Sequence, residues 1–194
     1  MSKIEQNREK KRQAILQAAW DTFLSEGYVE AKMDRIAADA GVTKQTVYRY
    51  YPSKKDLFRA TLERIGDRED FGFLRFLEDE NTELALFNFA RGFIRAHLSE
   101  EHLATTRLLI AEGPRAPEIM QIFRALGADE TGPALSNFLA QRFEIEHADR
   151  TSDLWTSMLL GQRSWALMGM AKPSDDEIDQ RARNATDFLL QAIR

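Results

Sequence analysis

Between residues 43 and 50 the chain reads TKQTVYRY, a run whose polar side chains all donate hydrogen bonds and none of which is acidic. The acid-free stretch extends from Val42 through Lys55. Thr43, Lys44, Gln45 and Thr46 lead it, and Tyr48, Arg49 and Tyr50 follow within one turn. On a helix, this set suits one kind of chemistry. Lys and Gln can pair with base edges in the major groove, while Arg, Tyr and Thr grip phosphates beside them. An ordinary solvated helix face mixes Glu and Asp with its lysines; this one does not.

Such a helix has to be held. Upstream, MDRIAADAGV supplies a second short helix, from about Met33 to Ala40, and a sharp turn at Ala40-Gly41-Val42, as a helix-turn-helix over about residues 32–51 requires. Ile36, Ala37, Ala40, Val42 and Val47 are the apolar positions that would seat both helices on a first helix. That first helix is clear from Arg12. Ile15, Ala18, Ala19, Thr22 and Phe23 recur at helical spacing along it, and Gly27 ends it. Pro52 stops the reading helix near Tyr50, and Ser53 with Asp56 forms a capping pattern that opens another helix through Leu57, Phe58, Leu62 and Ile65.

Beyond Gly66 the spacing predicts helices over 69–78, 82–98, 101–112, 117–126, 131–146, 151–170 and 174–193, punctuated by Gly113-Pro114, Gly127, Gly132-Pro133 and Pro173. With 24 Ala and 21 Leu against 3 Val, the expected fold is all-α. The expected organisation is a DNA-binding segment, residues 1–55, and a helical remainder, residues 56–194, sharing a helix near 55–66.

At this point the sequence resembles the TetR family of bacterial transcriptional regulators. The residues that carry the resemblance are Ile15 to Ala19, Phe23, Gly27-Tyr28, and IAADAGVTKQTVYRYYPSKKDLF from Ile36 to Phe58. The stretch from Arg107 to Phe123 looks like one branch of the family's divergent second half. The resemblance implies that Thr43, Lys44, Gln45 and Thr46 face the groove, and that Tyr48 and Tyr50 touch phosphates and sugars. It gives Lys54 another backbone contact. Lys32 stands where the family usually has a capping Ser or Thr that also touches phosphate; a lysine still pairs with phosphate but cannot cap in the same way. Tyr51 replaces a commoner Phe. The family's mechanism further implies a homodimer on a palindromic operator of double-stranded DNA, with half-sites ~34 Å apart. It also implies an unidentified small-molecule effector, which shifts the helix beginning at Ser53 and releases a repressor.

The second half is rich in aromatics from Phe71 to Phe188. Most would be core, and a minority would line a ligand cavity: Phe89, Phe93, Phe123, Trp155 and Met158, with Glu112 able to neutralise a cationic ligand or else a plain helix-end acid near Arg115. Segment 151–170 is apolar nearly all round. Segment 174–193 opens on a Ser174–Glu177 capping box and shows Ile178, Ala182, Ala185, Leu189 and Ala192 on one face. Two such helices, doubled by a two-fold axis, would make a four-helix bundle.

For catalysis the sequence offers little. Cysteine is absent, and His97, His102 and His147 lack metal-ligand spacing and read as lone surface histidines. Glu100-Glu101 and Asp175-Asp176-Glu177 read as helix-start acids. No enzyme, cofactor or metal is expected. No signal segment and no membrane span is expected either, so a cytoplasmic location is. The rivals are an architectural DNA-binding protein without effector control, and a helical carrier or enzyme. The net charge of -4 is at first sight unsuited to DNA, but residues 1–55 carry +4 and residues 56–194 carry -8. A basic head on an acidic body can orient itself on a polyanion.

Overall fold

The computed structural model describes residues 2–66, 72–126 and 131–193; Phe71 and Gly127 lie outside them. Every regular element among these residues is a helix. Contacts divide the chain into two compact units, Met1–Arg68 with Ala104–Gly127, and Glu69–Leu103 with Ala128–Arg194.

In the first unit, α1 (Lys3–Glu26) starts nine residues before its apolar stripe becomes legible, because Ser2 and Glu5 close a capping box around its first turn. α2 (Met33–Asp39) and α3 (Lys44–Tyr50) follow, then α4 (Lys54–Gly66). α1 packs on both α2 and α4. Ile15, Phe23, Ile36, Val47, Leu57 and Phe58 are all fully buried in one cluster. Phe23, Tyr28 and Phe58 meet edge-on or tilted at 5.0–5.7 Å between centroids, a favourable geometry for rings in a core. The same cluster takes in Leu108, Leu109, Ile119 and Ile122. The compact unit is thus larger than the 1–55 segment: it includes α4 and residues 104–127.

In the second unit, a 3₁₀ helix, Gly72–Glu78, replaces the α-helix expected over 69–78. Its three-residue turn sets Phe73 into the core beside Phe89 and Phe93. α5 (Thr82–His97) starts on an Asn81 cap. α6 (Glu100–Glu112) follows and leaves this unit after Leu103; its remainder and α7 (Pro117–Ala125), whose Pro117 occupies a favoured first-turn position, belong to the first unit. α8 (Thr131–Arg142) is four residues shorter than expected: the Arg142 guanidinium donates to the carbonyls of Asp79 and Glu80, each at 2.7 Å.

The long helix expected over 151–170 is in fact three pieces: α9 (Ala148–Leu159), a 3₁₀ turn Leu160–Gln162, and α10 (Arg163–Leu167). The interruption has a physical cause. Arg181 donates to the carbonyl of Met158 at the end of α9, and its guanidinium occupies space that a Cβ at Gly161 would claim. α11 (Asp175–Ala192) opens on the expected capping box, with Glu177 Oε2 2.7 Å from the Ser174 amide.

Ile178, Ala182, Ala185 and Leu189 turn out to be core of this same unit, packed with Phe89 and Trp155. Burial within the protomer takes these four out of the face expected for a four-helix bundle; Ala192, the fifth residue of that face, is exposed. Leu154, Trp165, Met168, Met170 and Phe188 stand out, between 57% and 72% exposed.

Candidate functional site

The turn between α2 and α3 is built by backbone bonding. Val42 N–H donates to Ala37 O at 3.0 Å and Gly41 N–H to Ala38 O at 3.1 Å. This is the paired arrangement of a Schellman ending, and it puts Gly41 at φ +65°. Ile36, Ala37 and Val47 lock the two helices onto α1, since each is at most 3% exposed. That fixes the outer side of α3.

On that side Thr43, Lys44, Gln45, Tyr48 and Arg49 are exposed, and Thr46 and Tyr50 half-buried. Thr43 is the N-cap, its Oγ accepting from the Thr46 amide at 3.2 Å, with the two hydroxyls 2.9 Å apart. Lys44 is not unpartnered: its Nζ lies 2.8 Å from Asp34 Oδ1 on α2, and that bond holds the ammonium above its ordinary pKa. Both partners are solvent-exposed, so the pair is screened and easily exchanged for another anion. Sequence reasoning missed Asp34 because it sits outside the acid-free run. The signal was its position one residue into a helix that must cross α3.

Lys32 is the N-cap residue of α2 and makes no side-chain cap bond, as its chemistry requires. It is exposed. Lys54 is differently placed from a plain surface lysine. Its Nζ donates to Val29 O at 2.8 Å and Ala31 O at 3.1 Å and lies 4.9 Å from the Tyr28 ring centroid. Burial holds this ammonium below the usual lysine value. Two of its three donors are thus occupied by the loop between α1 and α2, and one remains. The neighbouring Tyr28 phenol is pushed up to about 12, by burial first and by Glu118 second.

The six ligand-cavity candidates are divided between the two units. Glu112 and Phe123 pack in the first unit, Phe89, Phe93, Trp155 and Met158 in the second. Glu112, 7% exposed, accepts from the Val29 amide at 2.7 Å and lies 3.5 Å from Arg115, which also reaches Glu30 at 2.9 Å. It braces the loop ahead of α2. Gly27 makes room for it. With φ +82° and ψ 160° this residue lies in a region open to glycine alone, and an added Cβ would come within 3.0 Å of the Glu112 carboxylate. Gly27→Ala should therefore lower stability by about 2–4 kcal/mol through strain and loss of the charged bond. Gly66→Ala, with open space around its Cβ, is the control and should be near neutral. Thermal unfolding of the two variants reads the contrast, and equal melting temperatures would defeat it.

In the second unit, Phe89 is stacked on Phe93 and on Trp155, each at 5.7 Å, and Trp155 Nε1 donates to Ala185 O at 2.9 Å. Met158 is packed against this cluster. The expectation of lone surface histidines fails for two of the three. His97 lies 4.0 Å from the Phe93 ring and 4.5 Å from His102, and Arg163 Nη1 is 3.4 Å from His102 Nε2. A five-residue spacing across the turn between α5 and α6 brings the imidazoles together, which helical periodicity alone does not reveal.

Comparison with known proteins gives matches in both parts of the chain. Residues 15–61 match the family described as bacterial regulatory proteins, tetR family, and residues 84–192 match the AefR-like transcriptional repressor C-terminal domain. The transcriptional regulator RutR of Escherichia coli is 33% identical over 102 residues, 53% of this chain and 47% of RutR. The match thus spans about half the length of that relative. The transcriptional activator FasR of Mycolicibacterium smegmatis is 42% identical over 60 residues, 31% of this chain and 27% of FasR. Among solved structures, a TetR-family regulator from Mesorhizobium loti superposes with a TM-score of 0.80 at 24% identity, covering 99% of this chain and 98% of the other. The flavonoid-responsive regulator FrrA gives 0.75 at 25%, covering 95% and 97%. Among the described residues no helix is long and apolar enough to cross a membrane.

Proposed function

Because the chain belongs to the TetR family of bacterial regulatory proteins, we propose that it is a cytoplasmic, homodimeric transcriptional repressor released from a palindromic operator by a small molecule. The observation that carries this reading is the outer side of α3, five exposed donor-bearing residues held rigid by a buried Ile36–Val47 seat. Thr43, Lys44, Gln45 and Thr46 read bases, while Lys32, Tyr48, Arg49, Tyr50 and the remaining donor of Lys54 take phosphates. Residues 1–55 serve the DNA, and residues 56–194 serve effector binding and dimerisation. The AefR-like match in the second part supports repression. An effector site would use Phe89, Phe93, Trp155 and Met158; Glu112 is engaged with the Val29 amide, which argues against its facing a cationic ligand. The flavonoid response of FrrA makes planar aromatic compounds the first effectors to try.

The test is a gel shift against the DNA flanking its own gene, repeated with such compounds. Binding that no effector alters would leave a regulator without ligand control; no binding at all would defeat the reading. Within the same assay, Lys44→Ala or Gln45→Ala should cost roughly tenfold to a hundredfold on the preferred sequence and far less on random DNA. A loss of equal size on every sequence would mean that these side chains grip phosphate and do not read bases.

A further inference from the structure

In the first unit, the first turns of α1 and the end of α3 border an open cleft of about 700 Å³ lined by Lys3, Ile4, Asn7, Arg8, Lys11, Arg49 and Tyr50. Resting on the DNA-binding reading above, we infer that this cleft is a second contact for the phosphodiester backbone, beside the segment that Thr43–Thr46 would read.

Its charge is one-sided. Lys3, Asn7, Arg8 and Lys11 recur at helical spacing and so share a face of α1. The acids of the same turns are engaged elsewhere: Glu5 Oε2 accepts from the Ser2 amide at 2.6 Å, and Glu9 bonds Arg12 at 3.1 Å and Gln13 at 2.8 Å. Among the described residues, the ion pairs of this unit leave out all four cations of the cleft. Four like charges in one cleft repel one another, and a polyanion relieves that repulsion.

The cleft is also tied to α3. Tyr50 Oη donates to Arg8 O at 3.3 Å, and the guanidinium carbons of Arg8 and Arg49 each lie 6.0 Å from the Tyr50 ring centroid. Arg49 falls four residues after Gln45, on the same side of α3. A strand leaving the read segment therefore meets Arg49 first and the α1 cations next. From Lys3 to Lys11 a helix advances ~12 Å. One strand of duplex DNA carries a phosphate every ~3.4 Å of axis, so the row matches about three phosphates. Charges spread along a line suit a backbone better than a single compact anion.

The test compares the full chain with its Lys3→Gln, Arg8→Gln, Lys11→Gln variant on one random 30-bp duplex and on the DNA flanking its own gene, each titrated from about 50 to 200 mM salt. Three lost phosphate contacts should flatten the log–log salt slope by about 2.7 units for each protomer bound. Over that range the wild type then loses roughly 40-fold more affinity per bound protomer than the variant, while the ratio between the two duplexes stays the same. An unchanged slope overturns the inference, and so does a variant that loses only inorganic triphosphate binding. Failure of the wild type to bind either duplex would overturn the regulator reading together with this one, whereas an unchanged slope with intact binding overturns this one alone. The changed residues lie on the exposed first turns of α1, and an unaltered melting temperature verifies that the fold survives.

Discussion

A Leu154→Glu, Phe188→Glu variant is expected to elute as a monomer and to lose about 100- to 10,000-fold in affinity for a two-half-site operator, while a single half-site is bound about as before. Each protomer offers one α3. When two are linked, engagement of the second half-site becomes intramolecular, and the gain needs no new contact with DNA. The link must come from somewhere. Leu154 is 72% exposed on α9 and Phe188 59% exposed on α11, and Trp165, Met168 and Met170 add to the apolar surface of this unit. Scattered exposed leucines are ordinary, but five large exposed apolar groups on α9, α10, α11 and the loop after α10 call for a partner. A second copy of the chain is the occupant consistent with a palindromic operator. Neither residue belongs to the protomer's core, so the variant should keep its helical content. A variant that stays dimeric with full operator affinity would place the interface elsewhere.

That face was only half legible in the sequence. The apolar periodicity of residues 174–193 is real, but it reports burial without saying against what, and Ile178, Ala182, Ala185 and Leu189 are buried within their own protomer. Phe188 sits just off that stripe and was counted among aromatics expected mostly as core, whereas it is 59% exposed. The reverse holds for the recognition segment. Gly41, Ser53 and Ser174 do their work through backbone groups within a few residues, so local spacing was enough to assign the turn and both caps. The charged residues divide the same way. Glu112 and Lys54 act on backbone groups 83 and 25 residues away, and no short window contains both partners. Their types were visible early; which backbone atoms they serve depends on how α4 and α6 cross the loop between α1 and α2. Asp34 and Lys44, ten residues apart across the turn, fall between these cases.

Replacing Trp155 tests whether the aromatic cluster is solid core or an effector site. The side chain is 2% exposed, stacked on Phe89, and bonded through Nε1 to Ala185 O. Trp155→Ala removes a large packed volume that its neighbours cannot fill, and should cost about 3–5 kcal/mol, a large share of the stability of an ordinary domain. Trp155→Phe keeps a ring against Phe89 and removes only the indole donor; the Ala185 carbonyl, in the middle of α11, keeps its helical N–H, so the cost is that of one hydrogen bond, about 0.5–1.5 kcal/mol. Added indole separates the two roles. If the rings fill their space completely, indole leaves the wild-type melting temperature unchanged but restores Trp155→Ala, by about 2.7 kcal/mol at a hundredfold excess over its Kd. If an effector site stands open beside Phe89 and Phe93, indole and other flat aromatic compounds stabilise the wild type as well, and Trp155→Phe alters that response while leaving operator binding intact. A wild type indifferent to every aromatic compound, together with an indole-rescued alanine variant, would make these residues core and move the effector site elsewhere in the second unit.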